Sequence, residues 1–212
     1  MIFYLSSYKT GDSTKYLKSL SKKYRKVAYI DNGLDFSNDE KRRKNSNTDD
    51  ISQLEKLGFQ VELLDLKRYF LKTKELYVKI QEYQGIWVRG GNCFVLMQAF
   101  KLSGFDNILQ TFFKDNKNIL YGGYSAGVCV LGETLNGLHL IDDSNIFPYA
   151  GMKEQIWEGT GLFDYSFIPH YKSDHHESKY VEDVVNYMIE HKIPFIALED
   201  GEVIIREEKF KI

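Results

Sequence analysis

Cysteine, proline and long apolar runs are scarce in this sequence, and each shortage narrows the class of protein. The two cysteines, Cys93 and Cys129, lack C-x-x-C spacing and lie inside apolar stretches. This usage is typical of buried thiols in a reducing compartment, and it favours them over a disulfide. No stretch approaches the roughly 18 consecutive apolar residues of a spanning helix, and the N-terminus does not resemble a signal peptide. We therefore expect a cytoplasmic protein without a membrane partner.

The sequence also has no large excess of basic or of acidic residues. The 212 residues include 28 basic and 30 acidic side chains, for a formal net charge of -2. This balance predicts no nucleic-acid partner. The densest charged segment, residues 38–50, has a basic core between acids, which favours a solvated loop and helix start over a phosphate site. Because the chain has three prolines and no Gly/Ser-rich linker, we predict one domain over residues 1–212.

Short apolar runs alternate with amphipathic stretches along the chain. The runs predict buried strands at residues 2–5, 27–30, 61–64, 85–88, 118–120, 167–169 and 195–198. The amphipathic stretches predict helices at residues 14–24, 39–57, 94–102 and 177–191. This alternation is typical of an α/β fold with a doubly wound, mostly parallel sheet and helices on both faces. Near the end, the turn signal Asp200-Gly201 predicts a C-terminal antiparallel hairpin at one edge of the sheet.

The segment YGGYSAG, residues 121–127, places Ser125 in a G-x-S-x-G pattern between a predicted strand and a helical run. This is the context of a nucleophile elbow, in which the serine Oγ points out over the carboxyl end of the sheet. Glycines on either side allow neighbouring backbone to pass without a Cβ clash. The alternative is a glycine-rich corner at which Ser125 only caps the helix. A catalytic role therefore requires a base and an oxyanion donor.

His170 is the best candidate for the base among the five histidines. The segment FIPHY places it at the carboxyl end of a predicted strand, where open α/β sheets gather their functional sites. A buried structural histidine is the competing interpretation. We predict that His170 accepts the proton of Ser125.

The third member of such a site is a carboxylate that orients the imidazole. Asp142 and Asp143 lie between the serine and the histidine in the sequence. The segment DDSN is also strong turn chemistry, so either residue could serve the turn instead. The choice between the two aspartates stays open.

A second glycine-rich loop follows the strand at residues 85–88. It reads RGGN, and Gly90, Gly91 and Asn92 precede a predicted helix. Paired glycines leave backbone N–H groups free to approach a ligand. We predict that this loop supplies one oxyanion donor and that the N–H of Ala126 supplies the other.

Metal and cofactor motifs are absent. His175, His176 and Glu177 are adjacent in the sequence, but their spacing is not H-E-x-x-H and adjacent side chains on a helix diverge. A dinucleotide site is a poor fit because G-x-G-x-x-G is absent. We predict no metal and no cofactor.

Taken together, the motifs resemble the serine peptidase family of aspartyl dipeptidase (peptidase E) and, more distantly, cyanophycinase. The resemblance covers nearly the whole chain and is carried by VAYI, GFQVELLDL, IWVRGGNCFVLMQAF, YGGYSAG and FIPHYKSDHHES. The family resembles class I glutamine amidotransferases in its flavodoxin-like sheet. It implies Ser125 as nucleophile, His170 as base, the N–H groups of Gly91 and Ala126 as oxyanion donors, and an acid at 142–143.

The resemblance also implies a substrate, a short peptide cleaved near its amino end with an acidic residue as the leading expectation. Arg89 abuts the predicted oxyanion loop, so it could bind that carboxylate bidentately. Its alternative role is to pair with a neighbouring acid as a structural support. A homodimer is left open. The competing functions are an α/β-hydrolase esterase, a glutamine amidotransferase and a non-catalytic peptide- or metabolite-binding protein.

Overall fold

A computed structural model describes residues 1–207, which form eight strands and seven α-helices. The strands are β1 (Ile2–Ser6), β2 (Lys26–Ile30), β3 (Gln60–Leu63), β4 (Gly85–Val88), β5 (Leu120–Tyr124), β6 (Ser166–Ile168), β7 (Phe195–Ala197) and β8 (Val203–Glu207). The helices are α1 (Thr14–Leu20), α2 (Glu40–Lys56), α3 (Thr73–Ile80), α4 (Cys93–Ser103), α5 (Phe105–Lys114), α6 (Ala126–Cys129) and α7 (Ser178–Glu190). Within the described part of the chain, no helix combines the length and apolarity needed to cross a bilayer.

Six strands form the central sheet in the order β3-β2-β4-β5-β1-β8. Strands β1 to β5 run parallel, and the register places Gly122 of β5 beside Tyr4 on one side and Trp87 on the other. Strands β6 and β7 form a separate parallel pair. The predicted α/β fold with a mostly parallel sheet is confirmed. Strand β3 was predicted to be buried, but it lies at the sheet edge and is largely exposed.

Buried side chains at alternate positions of the strands form two core clusters, one on each face of the sheet. Phe3 and Leu5 belong to the first cluster, whereas Tyr4 between them belongs to the second. Helices α1 and α2 contribute Leu17 and Leu54 to the second cluster. Helices α3, α4, α5 and α7 pack on the first. The sheet is therefore covered by helices on both faces, as predicted.

The C-terminal strand is antiparallel, as predicted, but its partner is not the strand before the turn. A turn at Asp200-Gly201 joins β7 to β8, and Gly201 adopts φ 101°. Strand β8 pairs with β1, while β7 pairs with β6. The turn therefore connects two sheets instead of closing a hairpin. Residues 208–212 of the predicted segment lie outside the described residues.

Both cysteines are buried free thiols, as predicted. Cys93 begins α4 and Cys129 ends α6. Burial raises the pKa of each thiol well above its ordinary value, with nearby Asp142 adding to the effect. A thiol that keeps its proton is a poor nucleophile, so neither cysteine competes with Ser125 as a candidate nucleophile.

Candidate active site

A cleft of about 660 Å³ opens where the carboxyl ends of β4, β5 and β6 meet the loop that follows β1. It is lined by most of the predicted site residues: Arg89, Gly90, Gly91, Asn92, Ser125, Asp142, Asp143 and His170. Ala126 is buried directly after Ser125, at the start of α6. The fold thus brings together residues that are up to 81 positions apart, from Arg89 to His170.

Ser125 occupies a sharp turn between β5 and α6. Its φ of 50° and ψ of -122° lie in a region that residues with a Cβ rarely adopt. The backbone N–H of Ser125 donates to the carbonyl of Ser7 at 3.1 Å, which ties the turn to the end of β1. A strained strand–turn–helix geometry of this kind is what a nucleophile elbow requires.

The glycines around Ser125 are required by close backbone packing. A Cβ on either Gly123 or Gly127 would overlap the carbonyl oxygen of Val88 on the neighbouring strand β4. A Cβ on Gly90 would be 3.0 Å from the Cβ of Ser125. The small residues therefore allow β4 and its loop to approach the serine turn closely.

His170 lies two residues after the end of β6, and its side chain is only 1% exposed. Its Nδ1 lies 2.8 Å from Oδ1 of Asp200. A carboxylate can only accept a hydrogen bond, so this contact favours the tautomer with the proton on Nδ1 and leaves Nε2 as an acceptor. Burial lowers the pKa of His170 below its ordinary value, and Asp200 offsets part of that effect. The ring is therefore largely neutral at pH 7.

The carboxylate that contacts His170 is Asp200 and not the predicted Asp142 or Asp143. Oδ2 of Asp142 instead accepts the backbone N–H of Cys93 at 2.8 Å, at the start of α4. Oδ1 of Asp143 accepts the N–H of Asn145 at 2.9 Å, which is turn chemistry. The prediction that one of these two orients His170 is wrong because both are engaged elsewhere. Burial raises the pKa of Asp142 to about 7, although the Cys93 N–H opposes the shift.

A sequence signal for Asp200 did exist. Asp200 follows the strand-like run FIAL much as His170 follows FIP. Because β6 and β7 are parallel neighbours, the residues beyond their carboxyl ends lie side by side. Recognising that pairing would have placed Asp200 next to His170.

Ser7 links these residues, and sequence reasoning missed it. Its Oγ accepts the backbone N–H of His170 at 2.8 Å and lies 2.8 Å from Oδ1 of Asp200. Its carbonyl accepts the N–H of Ser125. The side chain is fully buried at the end of β1. One residue therefore contacts the serine turn, the histidine and the carboxylate.

The glycine-rich loop provides the predicted candidates for oxyanion binding. Gly91 has φ 147°, and a Cβ there would overlap the carbonyl of Gly33. Among residues 1–207, no backbone carbonyl accepts the N–H of Gly91 or of Ala126. Asn92 uses its side chain within the protein, because Oδ1 accepts the N–H of Val95 at 2.9 Å and caps α4. The two free N–H groups therefore remain available to a ligand.

Arg89 lines the cleft and also makes contacts within the protein. Its Nε donates to the carbonyl of Gly90 at 3.1 Å, and one terminal nitrogen donates to Asn47 at 2.8 Å. Its Nε is 4.0 Å from a carboxylate oxygen of Asp50, a loose ion pair. The guanidinium also lines the cleft.

A side recess of about 170 Å³ shares part of its lining with the cleft. The residues common to both are Leu34, Phe36, Arg42, Ser46 and Arg89. Arg43, which also lines the recess, is neutralised by Asp31 and Asp35. Arg42 is exposed, and within the described residues its side chain has no acidic partner within ion-pair distance. The recess therefore presents the guanidinium groups of Arg42 and Arg89 together with the single carboxylate of Asp39.

A second imidazole, that of His175, packs against the ring of His170. The rings of His170 and His175 are stacked, with centroids 3.8 Å apart and planes within 8°. Oε2 of Glu177 is 3.8 Å from Nε2 of His170 and 3.8 Å from Nδ1 of His175. His176 is 77% exposed, and its Nε2 lies 3.5 Å from the other carboxylate oxygen of Glu177, Oε1. The three adjacent residues His175, His176 and Glu177 do not form the compact group of potential ligands. That group consists of His170, His175 and Glu177.

A serine on a strained turn that shares a cleft with a carboxylate-bound histidine, all on a parallel α/β sheet, has the architecture of a serine hydrolase. The sequence profile of peptidase family S51 matches residues 6–212, and the chain belongs to that family.

Relatives agree with this assignment. An uncharacterized peptidase of Listeria monocytogenes, Lmo0363, is 30% identical over 120 residues, and Lin0382 of Listeria innocua is 28% identical over 120 residues. These alignments span 57% of this chain and only 55% and 54% of the two relatives.

Two solved structures share the fold. A peptidase E candidate from Listeria monocytogenes EGD-e superposes with a TM-score of 0.73 at 21% identity, over 98% of both chains. A peptidase from an acI-B1 Actinobacterium gives a TM-score of 0.70 at 14% identity, over 97% of this chain and 82% of its own.

Proposed function

We propose that this protein is a serine peptidase that hydrolyses short peptides near their amino end through an acyl-enzyme intermediate. Ser125 is the nucleophile, His170 the general base and Asp200 the carboxylate that orients the imidazole. The observation that carries the proposal is the 2.8 Å contact between His170 Nδ1 and Asp200, in the same cleft as the strained Ser125 turn.

The geometry supports a specific sequence of proton transfers. Asp200 holds the proton on Nδ1, so Nε2 of His170 accepts the proton of Ser125 Oγ as the oxygen attacks the peptide carbonyl. His170 then delivers that proton to the leaving amine. In the second half of the reaction, His170 takes a proton from a water molecule, which attacks the ester formed on Ser125. The acyl group leaves as a carboxylic acid, and Ser125 regains its proton from His170. The N–H groups of Gly91 and Ala126 bind the oxyanion, each contributing roughly 3 kcal/mol when well aimed.

The side recess supports an acidic side chain as the preferred residue beside the cleaved bond. Arg42 brings a guanidinium without an acidic partner, and Arg89 brings one whose nearest carboxylate oxygen is 4.0 Å away. Guanidinium groups bind carboxylates through charge-assisted, often bidentate hydrogen bonds. An Asp or Glu side chain placed in the recess neutralises this charge, whereas an Ala side chain leaves it unpaired.

A dipeptide panel tests the substrate. We expect purified wild type to cleave Asp-X and Glu-X faster than Ala-X, and Ser125→Ala to cleave none of them. Arg42→Ala should reduce kcat/KM for Asp-X by about tenfold or more while leaving Ala-X nearly unchanged. Lys44→Ala is the matched control, because Lys44 is an exposed cation on α2 outside the cleft.

Two outcomes would contradict parts of the proposal. Equal loss on acidic and neutral dipeptides in Arg42→Ala would assign this residue a structural role and remove the acidic preference. Dipeptide binding without hydrolysis by wild type would instead favour a non-catalytic binding protein.

A further inference from the structure

Three potential metal ligands converge on one side of the cleft. A ring nitrogen of His170, a ring nitrogen of His175 and a carboxylate oxygen of Glu177 all lie within 4.8 Å of one another. The Glu177 oxygen is equidistant from the two imidazoles, at 3.8 Å. All three residues line the cleft. Two imidazoles and one carboxylate match the protein ligands of Zn²⁺ sites that keep an exchangeable fourth ligand.

The contacts of His170 suit a metal ligand. Its Nδ1 is held by Asp200, so the ring orientation is fixed and Nε2 is the nitrogen left to coordinate. A carboxylate behind a metal-bound histidine is a common outer-shell arrangement that raises ligand basicity. Tetrahedral zinc with bonds of about 2.0–2.1 Å separates its ligand atoms by roughly 3.3 Å. The observed 3.8 Å contacts need only a small contraction.

One local change is required for joint coordination. Stacked rings direct their nitrogen lone pairs side by side, so His175 must rotate out of the stack to point at a shared ion. Its side chain is 16% exposed in the loop before α7, and its Nδ1 accepts the N–H of Glu177 in a long bond of 3.3 Å, which the rotation breaks. His170 is held by two shorter bonds of 2.8 Å, to Ser7 and Asp200. The rotation therefore falls on the less constrained ring.

We propose that His170, His175 and Glu177 bind a divalent transition-metal ion of the Zn²⁺ type, and that its binding blocks peptide hydrolysis. The block follows because Nε2 of His170 cannot hold a metal ion and accept the serine proton at the same time. The inhibition rests on the proposed function, whereas the metal binding does not.

Zinc titration of the Ser125→Ala protein tests the binding separately from catalysis. We expect one equivalent of Zn²⁺ by calorimetry, and a visible absorption band from tetrahedral Co²⁺. His175→Ala and Glu177→Gln, each in the Ser125→Ala background, should weaken binding by at least tenfold. Asp200→Asn should weaken it by about 10- to 100-fold, the usual effect of an outer-shell partner. His191→Ala is the matched control and should bind as tightly as its parent, because His191 is an exposed histidine at the end of α7 whose ring contacts Tyr187.

The activity assay completes the test. Zn²⁺ should inhibit wild-type hydrolysis, a chelator should restore it, and the inhibition constant of His175→Ala should rise at least tenfold. The site is refuted if no stoichiometric Zn²⁺ binds, or if His175→Ala and Glu177→Gln bind as their parent does. Stoichiometric binding to an enzyme without peptidase activity would uphold the metal site and refute the proposed function. An active peptidase that binds the metal and is not inhibited would refute the inhibitory role.

Discussion

The hydroxyl of Ser7 accepts the backbone N–H of His170 across 163 residues of sequence, at 2.8 Å. The same hydroxyl lies 2.8 Å from Asp200. Ser7 thus contacts both the histidine backbone and the carboxylate behind the ring. This makes it a positioning residue that acts on the reaction through His170.

Ser7→Ala should lower kcat by about tenfold or more with little change in KM, because the ring loses its fixed position while the substrate contacts remain. The buried N–H of His170 also loses its acceptor, which costs about 1–3 kcal/mol of stability. Steady-state kinetics and urea unfolding measure the two effects. Ser6→Ala is the matched control, since its hydroxyl bonds to the carbonyl of Tyr8. A Ser7→Ala enzyme with normal kcat would refute the positioning role.

Asp200→Asn should reduce kcat/KM by about 10³- to 10⁴-fold, because an amide no longer enforces the Nδ1–H tautomer. The pH profile should move as well. Asp200 raises the pKa of His170 against the lowering effect of burial, so its loss lowers that pKa further. The base must be neutral to act, and the acid limb of kcat/KM should therefore shift to lower pH.

Asp143→Asn is the control for the Asp200 experiment. Among residues 1–207, the side chain of Asp143 bonds to Asn145 in its own turn and its backbone carbonyl bonds to Asn92. It should retain most of the wild-type activity with an unshifted acid limb. The Asp200 assignment fails if Asp143→Asn is the more damaging change.

Much of the fold could be predicted because buried parallel strands give nearly continuous apolar runs. Helices α3 and α5 were missed for local reasons. Helix α3 is short and buries only Leu76 and Ile80, which gives a weak periodic signal. Helix α5 follows α4 across a single residue, Gly104 at φ 74°, so the two resemble one interrupted segment.

Some residues of the candidate site could be predicted from the sequence and others could not. Ser125 and His170 each carry a local signal, a position at the carboxyl end of a strand beside small or rigid residues. Asp200 and Ser7 meet them only through strand pairing, β7 on β6 and β1 beside β5. No local pattern encodes those pairings. Asp142 and Asp143 fit the expected chain order of serine, aspartate and histidine, but the carboxylate that contacts His170 is that of Asp200.

Asp142→Asn should stabilise the protein at high pH. The pKa of Asp142 is raised from 3.8 to about 7, so the folded state binds a proton that the unfolded state releases between these values. Stability from this group is present below pH 4 and is lost as the pH rises towards 7. The Asp142→Asn substitution should raise the free energy of unfolding by about 1–3 kcal/mol at pH 8 and leave it unchanged below pH 4. Urea unfolding at both pH values measures the difference, and equal effects at both would contradict it.

Gly127→Ala should destabilise the serine turn, because a Cβ there overlaps the carbonyl oxygen of Val88. Overpacking of this kind costs about 1–3 kcal/mol, measured by thermal unfolding. Gly33→Ala is a matched control, since the nearest atoms to its added Cβ lie at ordinary contact distances of 3.5–3.6 Å. Equal stability of the two variants would show that the turn is not as tightly packed as described.

The central claim is that Ser125 is the nucleophile, and a fluorophosphonate probe followed by peptide mass mapping tests it most directly. The account predicts one phosphonyl adduct on Ser125 of the wild-type protein, slower labelling of Asp200→Asn, and no adduct on Ser125→Ala. An adduct that persists in Ser125→Ala, or a folded wild-type protein that cleaves peptides yet never reacts at Ser125, would contradict it.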